Sequence, residues 1–275
     1  MKVAAIQMVS AVSREVNLAR AHALLVEAAA AGAELAVLPE YFCVMGQRDT
    51  DKLALRETPG AGVVQDFLAT AARELGLWIV GGTLPLEAGD DAHVFNTSMV
   101  WSPAGECVAR YDKIHLFAFD NGRERYDEHR VITPGTQPVT FDLPSREGHR
   151  WRIGMSVCYD LRFPELYRAL TRGGAELLLV PSAFTRTTGS AHWEVLLRAR
   201  AIENLAWVVA PAQGGTHENG RQTWGQTMVV DPWGAVVAQQ ASGEGVVLFD
   251  MDAQQTAAAR TQLPALTHSV LHNVS

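Results

Sequence analysis

A chain of 275 residues with 48% hydrophobic content and a formal net charge of −7 is long enough for one generous domain with a substantial core. The acidic balance argues against nucleic acid or an anionic membrane surface as a main partner, and no apolar run reaches the roughly 18 residues a membrane span needs. Cys43, Cys107 and Cys158 are odd in number and far apart, which fits a reducing, cytoplasmic setting and neither a disulfide framework nor a zinc site.

Lys2 to Met8 reads as a first strand; Gln7 and then Ser13-Arg14-Glu15 interrupt it too early for a signal peptide. Ser13 or Asn17 opens an Ala- and Leu-rich helix that stops at Gly32. Glu34 to Phe42 follows as a buried strand ended by Pro39, then a helix over 63–75 and strands over 77–83, 94–101 and 106–112. Residues 117–149 show little periodicity, and a loop this long inside a domain is more often functional than idle. The strand leading to Cys158 comes next, with a helix from Pro164 to Arg172 whose proline suits the first helical position. A strand over 176–180, a helix over 191–204 and a strand over 206–211 follow. A hairpin around Asp231-Pro232-Trp233-Gly234, a last strand over 246–249 and a short helical tail complete the chain. We expect one domain over 1–275, with its core at about 1–252 and a tail from 253.

The alternation of strands and helices predicts an α/β or α+β layered fold. Gly32-Ala33-Glu34-Leu35-Ala36-Val37-Leu38-Pro39 is echoed by Gly174-Ala175-Glu176-Leu177-Leu178-Leu179-Val180-Pro181. A two-fold repeat of that kind places both strand ends over one crevice, where open α/β sheets bind ligands.

Three side chains stand at such ends. Cys158 lies where a strand gives way to a turn near a helix N-terminus, a place that favours the thiolate. Glu40 follows an apolar strand beside Tyr41 and Phe42, and suits a general base near neutral pH. Lys113 ends a strand among apolar neighbours; turned inward, its ammonium lowers a thiol pKa and stabilises an oxyanion. Singly, each has a plainer reading: a buried structural cysteine, a surface glutamate, an edge-strand lysine.

Together, Leu38-Pro39-Glu40, Tyr111-Asp112-Lys113-Ile114-His115-Leu116 and Cys158-Tyr159-Asp160-Leu161-Arg162-Phe163-Pro164-Glu165 resemble, in order and spacing, the three signature segments of the nitrilase superfamily of carbon–nitrogen hydrolases. The likeness continues through Pro181-Ser182-Ala183-Phe184, Ala191-His192-Trp193-Glu194 and Met228 to Gly234, so it covers nearly the whole chain. It implies a four-layer α-β-β-α sandwich, homodimers, and a catalytic triad of Glu40, Lys113 and Cys158. Glu128, six residues before Pro134-Gly135, occupies the place of a second glutamate found in many members, which gives the 117–149 loop a purpose.

The chemistry implied is metal-independent and needs no cofactor. Nine histidines are present, but no H-E-x-x-H pair. Cys158 attacks an amide carbonyl while Glu40 takes its proton; Lys113 and the Tyr159 N–H hold the oxyanion; ammonia leaves, and water releases the acid from a thioester. Glu128 positions substrate or Lys113. The later segments resemble the branch of deaminated-glutathione amidase and omega-amidase, whose substrates are keto acids bearing a carboxamide. Arg162 and Arg186 are candidates for the substrate carboxylate, with Tyr159, Phe184 and Thr188 as further lining and His217 as a loop brace. Trp224 and Gln226, beside Gly225, depart from that branch's pattern. Within that branch Pro181 to Phe184, Ala212 to His217 with Arg221, and Met228 to Gly234 resemble the deaminated-glutathione enzyme more closely, which implies deaminated glutathione as the amide. The alternatives are an omega-amidase, another amidase, N-carbamoyl hydrolase or nitrilase of the superfamily, a non-catalytic scaffold, and a Cys-His hydrolase using His115.

Overall fold

In the computed structural model, which describes residues 1–270, the first strand already shows how the layers arise. Side chains alternate faces along a strand. In β1 (Lys2–Gln7), Val3 and Ala5 enter the core between two sheets, whereas Ala4 and Ile6 enter a second core beneath helices. The elements of the first half are α1 (Arg14–Ala30), β2 (Leu35–Val37), α2 (Asp51–Ala54), α3 (Val63–Leu75), β3 (Trp78–Val80), β4 (Leu84–Glu87), β5 (Val94–Trp101) and β6 (Cys107–Asp112). After them come a small hairpin, β7 (Ala118–Asp120) and β8 (Arg125–Asp127), and a single helical turn over Glu128–Arg130.

The second half repeats the plan with β9 (Thr140–Pro144), β10 (Arg150–Met155), α4 (Pro164–Arg172), β11 (Leu177–Leu179), α5 (Arg186–Asn204), β12 (Trp207–Ala210), β13 (Thr227–Val230), β14 (Val236–Gln240), β15 (Gly245–Asp250) and α6 (Ala253–Gln262). One sheet runs β15-β1-β2-β3-β5-β4, with β6 paired to β5; the other runs β14-β13-β12-β11-β10-β9. Each has a parallel trio at its centre, β1-β2-β3 and β10-β11-β12. Trp151, Trp207, Met155 and Leu179 fill the space between the sheets. α1 and α3 cover one outer face, α4 and α5 the other, giving the four-layer α-β-β-α sandwich. No helix among the described residues is long and apolar enough to cross a membrane.

Local chemistry explains most boundaries. Ser13 caps α1 by accepting the Val16 N–H, while Asn17 lies buried inside that helix and ties Ala11 to Cys43. Gly76 ends α3 in the left-handed conformation. α5 begins at Arg186, five residues before the expected Ala191, because Thr185 caps it and Gly189 packs under Trp224 instead of breaking the helix. The loop predicted over 117–149 is corrected most: it holds β7, β8 and β9, and β9 is the edge of the second sheet. The helical tail is present as α6, anchored by Arg260, which donates to the carbonyls of Ala175 and Leu205. Positions 271–275 of the expected tail lie outside the described residues.

Two glycines let backbone press close to the ends of β2 and β6. A Cβ on Gly82 would lie 2.0 Å from the Pro39 carbonyl oxygen, and one on Gly135 the same distance from that of Asp112. These carbonyls immediately precede Glu40 and Lys113. Gly135 lies outside the positive-φ positions, so its substitution reports crowding alone. We expect Gly135→Ala to lose about 1–3 kcal/mol of stability, measured by urea denaturation; an unchanged midpoint would show that the Asp112 turn relaxes freely.

Candidate active site

The two echoed strands end side by side. Beyond β2 the chain turns at Tyr41, whose φ of 57° is unusual for a side chain of that size, and Glu40 is directed inward with 1% exposure. Its Oε2 accepts the N–H of Ala183, just beyond β11, at 2.9 Å. Its Oε1 accepts from the Asn96 amide of β5 and from Lys113 Nζ, each at 3.0 Å. Gln213 donates to the Glu40 carbonyl and to Ser10, bracing the turn from behind.

Lys113, fully buried, follows β6 and points between two carboxylates. Besides Glu40 it donates to Glu128 at 2.8 and 3.1 Å. Glu128 also accepts from the Tyr41 hydroxyl and the Phe117 N–H, each at 2.7 Å. Burial alone would lower the Lys113 pKa, but the charges of Glu128 and Glu40 outweigh it and hold the ammonium above the ordinary lysine range. Burial would likewise raise Glu128, yet Lys113 and the N–H and O–H donors hold it below the usual carboxylate range.

Cys158 begins a helical turn over Cys158–Arg162 and adopts a φ of 49°. Its N–H donates to the Pro181 carbonyl at 3.0 Å. Asp160 secures this elbow. Fully buried, it accepts from the Val157 N–H, the Tyr111 hydroxyl, the His115 N–H and the His115 ring. His115 thus has an aspartate partner that its sequence neighbours did not reveal, but the group facing the Cys158 sulfur is Glu40, whose charge and hydrogen bond act on the thiol. The thiolate expected from the helix terminus is not what the site favours. Burial and the negative charge of Glu40 push the thiol well above its ordinary value, and Lys113 offsets this only in part.

A small hollow above the sulfur is lined by Glu40, Glu128, Tyr159, Arg162, Phe184 and Thr188, with Phe117 and Arg221. Tyr159 N–H has no hydrogen-bond acceptor among the described residues and remains available to a ligand. Arg162 sets its guanidinium over the Tyr159 and Phe184 rings and hydrogen-bonds to His192, not to Asp160 or Glu165. Arg186 is not brought to this hollow: it is exposed at the start of α5, and its N–H bonds to Gln222. Arg221, which sequence reasoning did not consider for this role, lines the hollow instead. No strand or helix pattern marks it, since it sits in an irregular segment. His217 braces the same segment through Ser10 and Thr223. Trp224 and Gln226 line a different depression on the α5 side, so their departure from the pattern falls outside the hollow over Cys158.

The family described as carbon–nitrogen hydrolase matches residues 2–261. A deaminated glutathione amidase of Synechocystis is 39% identical, covering 97% of each chain. The omega-amidase NIT2 of Homo sapiens is 35% identical over 96% of this chain and 92% of its own. Among solved structures, the NitFhit protein of C. elegans superposes with a TM-score of 0.86 at 36% identity. That match covers 98% of this chain and 65% of the longer NitFhit chain.

The raised thiol has a direct consequence. Thiolate is the species that alkylates, so labelling of Cys158 by iodoacetamide, followed on its tryptic peptide, should rise about tenfold per pH unit from 6 to 9 with no plateau. A plateau near pH 7 would mean that Lys113, not burial and Glu40, controls the thiol.

Proposed function

The chain belongs to the carbon–nitrogen hydrolase family, a hydrolase acting on non-peptide C–N bonds, and from that premise we propose that it is a thiol amidase of 2-oxo-acid amides, with deaminated glutathione as its substrate. The observation carrying this reading is the Lys113 ammonium held 3.0 Å from Glu40 and 2.8 Å from Glu128 beneath the hollow that Cys158 enters.

An amide needs a strong nucleophile, a site for the oxyanion and a proton for the departing nitrogen. In this reading Cys158 Sγ attacks the carbonyl carbon as Glu40 takes the thiol proton. Because the thiol is neutral at rest, proton transfer accompanies attack. Lys113 has three protons for two carboxylates, and the third, with the Tyr159 N–H, meets the oxyanion. Glu40 returns the proton to the nitrogen, the C–N bond breaks and the thioester remains. Water, deprotonated by Glu40, attacks the thioester carbonyl, and the sulfur leaves with the proton that Glu40 returns. Glu128 acts by fixing Lys113: it is saturated by Lys113, Tyr41 and Phe117 and has no need to serve as a second base.

The leaving group depends on the amide. A primary carboxamide, as in an omega-amidase substrate, gives ammonia. In deaminated glutathione the scissile nitrogen is that of the cysteine residue, so the group released is cysteinylglycine and the expectation of ammonia does not apply. Arg162, Phe184 and Thr188 would receive the keto-acid end, with Arg162 meeting its carboxylate. We propose in addition that two copies pair through α5 and the β13–β14 turn, where Val195 is 69% and Trp233 59% exposed, and that the protein works in the cytoplasm, consistent with three unpaired cysteines.

With deaminated glutathione, Cys158→Ala should abolish release of cysteinylglycine while calorimetry still detects substrate binding, and Lys113→Met should lower kcat by about 10²–10³. Full turnover by Cys158→Ala would remove the thiol from the mechanism. Turnover of 2-oxo primary carboxamides alone would move the assignment to omega-amidase.

A further inference from the structure

Beyond the Tyr41 wall lies a second, larger hollow. It measures about 330 Å³, against about 10 Å³ for the hollow over Cys158. The larger value falls within the range of small-molecule sites. Arg221 lines both. Its guanidinium sits 6.0 Å from the Tyr41 ring and 5.3 Å from that of Tyr126. It donates to the carbonyl of Ala183, whose N–H holds Glu40. Its Nε is buried with no hydrogen-bond partner, and no carboxylate among the described residues forms an ion pair with it.

The electrostatics of this hollow are one-sided. Arg48, Lys52, Arg125 and Arg221 line it, and Asp49 is the one lining carboxylate among the described residues. Lys52, with a side chain only 12% exposed, lies 4.7 Å over the Tyr41 ring and reaches Asp49 at no closer than 3.8 Å. Arg48 and Arg125 stand at the rim, 81% and 79% exposed, and pair loosely with Asp51 and Asp120 outside the hollow. Burial draws the Lys52 ammonium below the ordinary lysine range, the cost of holding a cation short of counter-charge. An anion entering between Lys52 and Arg221 relieves that cost and offers Arg221 a charged partner beside the Ala183 carbonyl and the Met45 sulfur it already meets.

The geometry points to a subsite, built on Lys52 and Arg221, for a carboxylate carried by the amine half of the substrate. This deepens the function proposed above and rests on it: the acyl half stays on Cys158, and the amine half, of the amino-acid or dipeptide class, lies across Arg221 with its terminal carboxylate toward Lys52. When the C–S bond forms and the C–N bond breaks, the nitrogen takes its proton from Glu40 and leaves as an amine that still bears this carboxylate. Ammonia makes no use of the second hollow.

The test compares three amides of one 2-oxo diacid: the primary amide, the amide of cysteinylglycine, and the amide of cysteinylglycine capped as its C-terminal carboxamide. Wild-type protein should favour the free carboxylate over the capped tail by about tenfold in KM. Lys52→Met should erase that preference without changing kcat/KM for the primary amide, and Lys52→Arg should restore it. Equal losses on all three amides, or no preference in the wild type, would overturn the subsite. Calorimetry with free cysteinylglycine and its carboxamide supplies a readout independent of turnover. Tenfold weaker binding of the dipeptide to Lys52→Met supports the subsite even in a protein inactive on all three amides, a result that would sink the proposed reaction instead. Equal binding of the capped and uncapped dipeptides would sink the subsite alone.

Discussion

A lysine ammonium with no access to water, shared by two carboxylates, is the interaction on which the rest of the site depends. Moving three charges out of water costs more than their attraction returns unless every remaining lone pair finds a donor. Here the donors come from all parts of the fold: Asn96 from β5, the Ala183 N–H beyond β11, the Tyr41 hydroxyl beyond β2, and the Phe117 N–H before β7. Removing Lys113 would leave two buried carboxylates facing one another, and the Ala183 N–H on Glu40 ties this cluster to the second sheet. Burial, and after it the same negative surplus, pushes the Cys158 thiol well above its ordinary value.

Strain accompanies this arrangement. Tyr41 and Cys158 both take positive φ, a conformation that costs of order 1–3 kcal/mol for such residues. At Cys158 the cost is met by Asp160, whose carboxylate gathers four donors from the elbow and from the segment around Lys113. Nucleophile and ammonium are thereby tied to one buried anchor, which fixes their relative position without a direct bond between them.

Much of this was legible in the sequence because it is written in local chemistry. Pro39 and Pro181 mark where the two echoed strands stop, Ser13 and Gly76 mark helix ends, and the echo between 32–42 and 174–184 set both strand ends over one crevice, where the Ala183 N–H meets Glu40. What was not legible depends on distant partners. β9 is short and partly polar because it is a sheet edge, and β7 and β8 pair only with one another, so neither carries a buried-strand pattern. The start of α5 was masked by Gly189, which reads as a breaker until Trp224 is placed on it. Arg186 offered a guanidinium for a carboxylate, yet as the first residue of α5 it turns outward, and Arg221, from an irregular segment that no pattern marks, lines the hollow. The thiol reads differently in the sequence because the helix terminus is visible there, whereas the depth of its burial and the charge of Glu40, 118 positions earlier, are not.

The central claim, that Cys158 carries the acyl group between two half-reactions, is tested most directly by the mass of protein quenched in acid during turnover of a 2-oxo-acid amide. The account predicts an adduct equal to the acyl group on the peptide containing Cys158, formed at least as fast as product appears and lost as the amide is exhausted. An acyl group recovered on another side chain, or Cys158 acylated more slowly than product is released, would contradict it.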